Sequence, residues 1–197
     1  MAKYIIYLII NLLLLPIHAQ RPERINFTHI GVNEGLSQNT IFDITQDKQG
    51  NMWFATYDGL NKFDGYDFTV YQYDEENPHS IGNDVIRTCI VDSQGRLWIG
   101  TGEGLSRYDA AKDSFYNFYY QKKGKNLPIS SIVEINEKRL LLFSSKEEGL
   151  LLFDTETQQF SDSPLHASLA SIQLSSISRQ GDDIYIGSFN GAYVYSI

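Results

Sequence analysis

One cysteine in 197 residues excludes an intramolecular disulfide. Cys89 stands in the apolar run "IRTCIV" and reads as a small core residue. A chain without such a staple depends on its hydrophobic core, and about 180 residues are enough to bury one. Basic charge is scarce as well: 16 Lys and Arg face 24 Asp and Glu, a net charge of −8. An acidic surface is unsuited to nucleic acid or to an anionic membrane. Uncharged ligands such as sugars stay open. Helical periodicity is missing after residue 20. His18, His29, His79 and His166 are scattered without metal-ligand spacing. "DEEN" at 74–77 lacks the alternating ligand order of a calcium loop. There is no G-x-S-x-G elbow, and Cys89 has no recognisable His partner. No catalytic residue, metal or cofactor is expected.

One long hydrophobic run exists, and it is short for a membrane span. "MAKYIIYLIINLLLLPIHAQ" carries Lys3, an apolar stretch over Tyr4–Leu15, the breaker Pro16, and the small residue Ala19. A span needs about 20 apolar residues. Residues 1–19 therefore read as a cleaved export signal, with Ile17 an unusual residue before the cleavage point. The mature chain would begin near Gln20, carry 15 basic against 24 acidic side chains, and live in the periplasm.

What the sequence has in quantity is repetition. "GNMWFATYDGLNKFD" (50–64) returns as "GRLWIGTGEGLSRYD" (95–109), so Trp53, Gly59 and Asp64 recur 45 residues later as Trp98, Gly104 and Asp109. Each unit opens with an apolar run: "NTIFDITQD", "NDVIRTCIVD", "SSIVEIN", "LSSISRQ". A turn leads to a second run, "MWFAT", "LWIGT", "LLLFSS" or "IYIGS". A tight turn follows, ending at Gly59, Gly104, Gly149 or Gly191. A third run and, in three units, a fourth complete the pattern. The runs are short, β-branched or aromatic, and bounded by Gly, Asp, Asn or Ser, which is strand chemistry. Four antiparallel strands in about 45 residues, repeated, describe the blade of an all-β propeller.

The expected organisation is a segment at 20–34 holding an outer strand for a closing blade, then blades at 35–80, 81–127 and 128–170. An incomplete blade follows at 171–197. "INFTHI" (25–30) resembles the fourth strand "YDFTVY" (66–71), and the last unit lacks such a strand. Two arrangements fit: a partial arc of about four blades, or a four-blade ring closed by "INFTHI" on "AYVYS". Trp53, Trp98 and Tyr185 occupy equivalent second-strand positions and are expected in the core between blades. On the last unit, Ile184, Ile186, Tyr193 and Tyr195 are expected on an uncovered face.

The segments "GLSQNTIFDITQDKQGNMWFATYDGLNKFDG" and "IGNDVIRTCIVDSQGRLWIGTGEGLSRYD" resemble the repeat of two-component regulator propellers. The third unit departs, since "LLLFSSKEEGLLLFD" has no Trp, and the fourth has Tyr185 in its place. The resemblance covers roughly 24–197. It implies a periplasmic sensor with seven blades per propeller, of which this chain would hold an arc. It also implies partners absent from the chain: the remaining blades, a β-sandwich, an inner-membrane span, a histidine kinase, a receiver and a DNA-binding domain. A homodimer of the parent protein is a further expectation.

Side chains that repeat in every unit serve the unit, so Asp64, Asp109 and Asp154 read as turn caps. Ligand recognition is expected on the face carrying the turns between second and third strands and the approaches to the first strands. Asn39, Tyr57, Asp58, Asn83, Arg87 and Glu103 stand there, a mixture suited to hydrogen-bonding an oligosaccharide. The alternatives are a glycan-active propeller enzyme, such as a lyase or glycosidase, and an envelope protein-interaction scaffold.

Overall fold

A computed structural model describes residues 26–145, 149–169 and 172–197. Residues 1–19, expected to be an export signal, lie outside the described residues. Four antiparallel sheets follow one another along the chain. The first blade holds β1 (Ile41–Gln46), β2 (Met52–Thr56), β3 (Gly59–Phe63) and β4 (Phe68–Tyr71), hydrogen-bonded in that order. The second holds β5 (Ile86–Val91), β6 (Leu97–Thr101), β7 (Gly104–Asp109) and β8 (Ser114–Phe118). A small hairpin, β9 (Gln121–Lys122) and β10 (Lys125–Asn126), precedes the third blade. That blade comprises β11 (Ser131–Asn136), β12 (Arg139–Ser144), β13 (Gly149–Asp154) and β14 (Gln159–Asp162). A short helix α1 (Pro164–Leu169) leads to β15 (Leu174–Gln180), β16 (Asp183–Ser188) and β17 (Gly191–Ser196). The fold is an all-β propeller arrangement, as the repeat predicts.

The first strands β1, β5, β11 and β15 neighbour one another in chain order, as inner strands of propeller blades do. They line a groove of about 630 Å³ that includes Asp43, Thr88, Glu134 and Arg179. Side chains replace a backbone ladder between them. Asp43 Oδ2 accepts from Thr88 Oγ1 at 2.8 Å and from the Cys89 amide at 3.0 Å. Arg179 donates to the carbonyls of Glu134 and Ile135.

Alternation along each second strand divides its side chains between two inter-blade layers. Trp53 points toward the second blade, where it meets Leu97, Ile99 and Phe115. Trp98 points toward the third, among Leu140, Leu142 and Phe153. Leu141 points toward the fourth, against Ile184 and Ile186. Both Trp rings are 0% exposed. Each buried indole N–H has an acceptor at the preceding turn: Trp53 Nε1 donates to Asp47 Oδ2 and Trp98 Nε1 to Asp92 Oδ2, both at 2.8 Å. A buried Trp needs such a partner. The two later blades lack both members: Leu141 and Tyr185 replace the Trp, and "NEKR" and "QGDD" replace the Asp-led turns.

Three sequence expectations give way here. Tyr185 is 38% exposed rather than in the core. It occupies the position of Trp53, but no further blade in this chain covers its face. Ile184 and Ile186 are instead buried against the third blade. Tyr193 is partly buried against the same core, while Tyr195 is 45% exposed, as expected. The outer strand expected in 20–34 does not form over the described residues 26–30. A strand needs a ladder partner, and β17 remains the unpaired edge of its sheet. The described residues therefore form an open arc.

The turn glycines answer a local steric demand. Gly59 has φ +103, and a Cβ there would lie 2.7 Å from the Tyr71 carbonyl oxygen. At Gly104 it would lie 2.5 Å from the Phe118 carbonyl oxygen. These residues carry the third strand close beneath the end of the fourth.

Candidate functional site

Three of the four first strands carry a β-bulge one residue from their start. The register shifts between Ile41 and Asp43 in β1, between Ile86 and Thr88 in β5, and between Leu174 and Ser176 in β15. The bulged residues are Phe42, Arg87 and Ser175, the first two 45 positions apart. A bulge re-aims a side chain out of the regular alternation, and here the first two meet. The Arg87 guanidinium lies over the Phe42 ring, with Cζ 5.0 Å from the centroid. Phe42 in turn neighbours Tyr57, with ring centroids 6.3 Å apart. Phe42 is 41% exposed and Tyr57 53%. Among the described residues, the Arg87 side chain has no hydrogen bond or ion pair. The result is an aromatic surface with an arginine fork held on it and its donors unclaimed.

The other sequence candidates stand at the same end of the blades but spend their polar atoms differently. Asn39 Oδ1 accepts the Val32 amide at 3.1 Å, and Asn83 Oδ1 accepts the Val85 amide at 2.9 Å. Both act as caps on the approach to a first strand. Asp58 Oδ1 accepts Gln72 Nε2 at 3.1 Å, and both side chains are exposed. Glu103 is the second-blade counterpart of Asp58. Its Oε2 accepts Asn126 Nδ2 at 3.4 Å, which ties the β9–β10 hairpin to this end. Tyr73 and Tyr119 add two partly exposed phenols nearby. Burial first, then the Glu103 charge, pushes the Tyr119 phenol above its ordinary value.

The structure thus joins Tyr57 and Arg87 through Phe42, attaches Glu103 to the hairpin, and leaves Asn39 and Asn83 as turn caps. Sequence reasoning missed Phe42 and the hairpin. A signal for Phe42 was present: its 45-residue counterpart is Arg87, so this position does not repeat its chemistry while its neighbours do.

A second pocket, of about 600 Å³ and lined by Trp53, Lys62, Arg96, Arg107, Tyr108 and Tyr116, lies at the opposite end of the blades. Among the described residues no cluster of three His, Cys, Asp or Glu is placed to hold a metal. Burial, then the Asp43 charge, drives the Cys89 thiol well above its usual value, so it is held protonated. Asp113 accepts the phenols of Tyr71 and Tyr108 at 2.6 and 2.5 Å, clamping the first blade to the second. On the opposite end of the blades, Lys62 sits over Trp53 and Arg107 over Trp98. These two cations are 45 residues apart and repeat with their Trp, so they serve the blades.

Repeated four-stranded blades and an irregular rim define a propeller module. The two-component regulator propeller model matches residues 35–58 and 80–103, in the first two units. Histidine kinase P4 of Formosa agariphila is 52% identical over 48 residues, which are 24% of this chain and 4% of the kinase. The extracellular domain of the putative hybrid two-component system BT3049 from B. thetaiotaomicron is 28% identical. The match covers 86% of this chain and 25% of that one, at a TM-score of 0.71. The extracellular domain of BT4673 from the same organism shares the fold at 21% identity and a TM-score of 0.69, over 86% of this chain and 22% of that one. The chain thus spans about a quarter of the length of the solved extracellular domains it matches. No helix among the described residues is long and apolar enough to cross a membrane.

Proposed function

We propose that this chain is part of the extracytoplasmic ligand-sensing propeller of a two-component signalling protein. It recognises a carbohydrate at the Phe42–Tyr57–Arg87 rim, and a histidine kinase elsewhere in a longer protein reads out the occupancy. Two things support the reading. The chain is similar over most of its length to the extracellular domain of a hybrid two-component system. The rim also departs from the repeat: it sets exposed aromatic faces beside unclaimed hydrogen-bond donors. Aromatic faces pack against the C–H side of a sugar ring, and a fork of donors fixes its hydroxyls or acid groups.

The test is binding of the full chain to an array of defined oligosaccharides, repeated with Tyr57→Ala and Phe42→Ala. Both positions are exposed, so the fold tolerates the change. Binding that depends on these two rings supports the reading. Binding indifferent to both rings overturns the rim assignment. Recovery of a shortened or unsaturated product in place of the offered sugar makes the propeller an enzyme.

A further inference from the structure

The pocket of about 600 Å³ at the end of the blades away from the rim lies where the first blade meets the second. Its charged side chains fall into two groups. Asp47 accepts the Gln49 and Asn51 amides, the Asn51 side chain and the Trp53 indole. Asp109 accepts the Ala111 amide and the Tyr116 phenol, and Arg96 is paired with Asp92 at 2.6 Å. Lys62 and Arg107 form the other group. Neither side chain has a hydrogen bond or an ion pair among the described residues. Aromatic faces hold both in place. Lys62 Nζ lies 5.6 Å from the Trp53 centroid and 5.9 Å from that of Tyr108, and Arg107 Cζ lies 4.8 Å from that of Tyr116. Attraction to a ring face fixes a cation while leaving N–H donors for other acceptors.

Each cation covers the Trp of its own blade, and that role repeats. Their presence in one cavity does not. Lys62 pairs across the sheet with Trp53 and Arg107 with Trp98, but in the third blade Leu152 pairs with Leu141. Only at the first joint, among the described blades, does each partner bring such a cation. A cavity of this size falls within the range of small-ligand sites, about 300–1,000 Å³. An arginine fork grips a carboxylate or phosphate through two parallel bonds, and a lysine adds a point charge. We propose that this pocket is a second ligand site, separate from the Phe42–Tyr57–Arg87 rim, and that it takes a small organic dianion, a dicarboxylate or a phosphate monoester. Lys62 and Arg107 hold the charges, and Tyr108 and Tyr116 flank the organic part. The ligand thereby joins the first blade to the second, and occupancy stabilises that joint.

Isothermal titration of the full chain tests this, with succinate, phenyl phosphate or the neutral succinamide as probe at matched ionic strength. Saturable heat with succinate or phenyl phosphate, and none with succinamide, is expected. The tighter of the two dianions tells carboxylates from phosphate. The thermal unfolding midpoint is expected to rise with the concentration of that probe, because it binds the folded chain alone. Lys62→Met and, separately, Arg107→Met keep an apolar stem over each Trp. Each is expected to weaken binding about tenfold or more, the loss of a charge-assisted hydrogen bond. Ala111→Trp, at an exposed turn position on the pocket wall, removes no charge and is expected to abolish the heat. It keeps the test decisive if a Met variant fails to fold. Lys138→Met removes an equal charge from an exposed site on the third blade and is expected to leave binding unchanged. Binding that survives the Met variants or Ala111→Trp overturns the proposal. So does succinamide binding as tightly as succinate, or an equal loss in Lys138→Met, which traces the heat to bulk charge. Absence of heat with both dianions overturns it as well.

Discussion

At the scale of single residues, aspartates hold the joints between blades. Burial raises the Asp47 carboxyl, but donation from the Asn51 side chain, the Trp53 indole and two backbone amides outweighs it, and its pKa is lowered. Truncating Trp53 to Ala empties a buried inter-blade site and is expected to cost about 3–5 kcal/mol in urea unfolding. Trp53→Phe keeps much of the volume but removes the donor to a carboxylate, a loss of about 1.5–3 kcal/mol. Asp113 is also lowered, first by the Tyr108 phenol and then by Tyr71. A depressed folded-state pKa gives stability that is complete above the unfolded value of about 3.9. That stability is lost as pH falls through the folded value. Acid unfolding below about pH 4 is therefore expected to begin at a lower pH in the native chain than in a chain whose Asp113 bonds are weakened by Tyr108→Phe. Tyr108 mirrors this at the alkaline end. Burial and then the Asp113 bond push its phenol up to about 12, so that contribution persists below the ordinary value near 10 and fades as pH rises through about 12. Phenolate absorbance at high pH reads it directly, and Asp113→Asn is expected to bring the late-titrating phenol down.

At the scale of strands and turns, most of the fold was legible. The 45-residue recurrence gave the blades, and Gly, Asp and Asn marked their turns, because each such turn imposes a backbone conformation that few residues adopt. Departures from regular alternation were not legible. A bulge has no composition of its own, so the sequence did not disclose that Phe42 turns out of the strand to meet Arg87. Tyr185 matches Trp53 in position, yet its burial depends on a neighbouring blade. "INFTHI" has strand composition, but a strand exists only against a partner. Of the residues named from the sequence, Tyr57 and Arg87 stand together with Phe42, whereas Asn39 and Asn83 spend their side-chain oxygens on backbone amides, a difference that composition does not show. Two glycines separate a turn's dihedral demand from its steric one. Gly50 has φ +92 with nothing within 4 Å of a built Cβ, whereas Gly59 has φ +103 and the Tyr71 carbonyl at 2.7 Å. Gly50→Ala is expected to cost about 1–2 kcal/mol, the left-handed term alone. Gly59→Ala is expected to cost about 1–3 kcal/mol more, because the backbone cannot step aside. Equal losses in thermal unfolding would mean that the third and fourth strands are not held this close.

At the scale of the whole molecule, an arc has two ends, and here each exposes apolar side chains. The last blade exposes Tyr185 and Val194, paired across β16 and β17 and 38% and 57% exposed. The first blade exposes Ile44 at 50%. Within the chain, the face that bears Trp53, Trp98 or Leu141 always docks on the β-face of the blade that follows, where Leu97 and Ile99, Leu140 and Leu142, or Ile184 and Ile186 receive it. Tyr185 stands in the series of Trp53, and Met52 and Phe54 in that of Leu97 and Ile99. The repeat therefore builds a docking face at one end and a receiving face at the other. In a longer protein, further blades would fill both. In the isolated chain the same complementarity acts between copies, head to tail, a contact that closes into a ring or continues into a chain according to its rotation. An unpaired edge at β17 adds strand pairing to the apolar attraction. Light scattering is expected to show mass rising with concentration for residues 20–197. Tyr185→Asp places a charge on the docking face without touching the three internal cores, so it is expected to shift the population toward monomer while leaving the unfolding transition of the blades nearly unchanged. If residues 20–197 stay compact and monomeric at every concentration, with Tyr185 protected from solvent quenching, the two ends already meet in the same chain and the arc is closed.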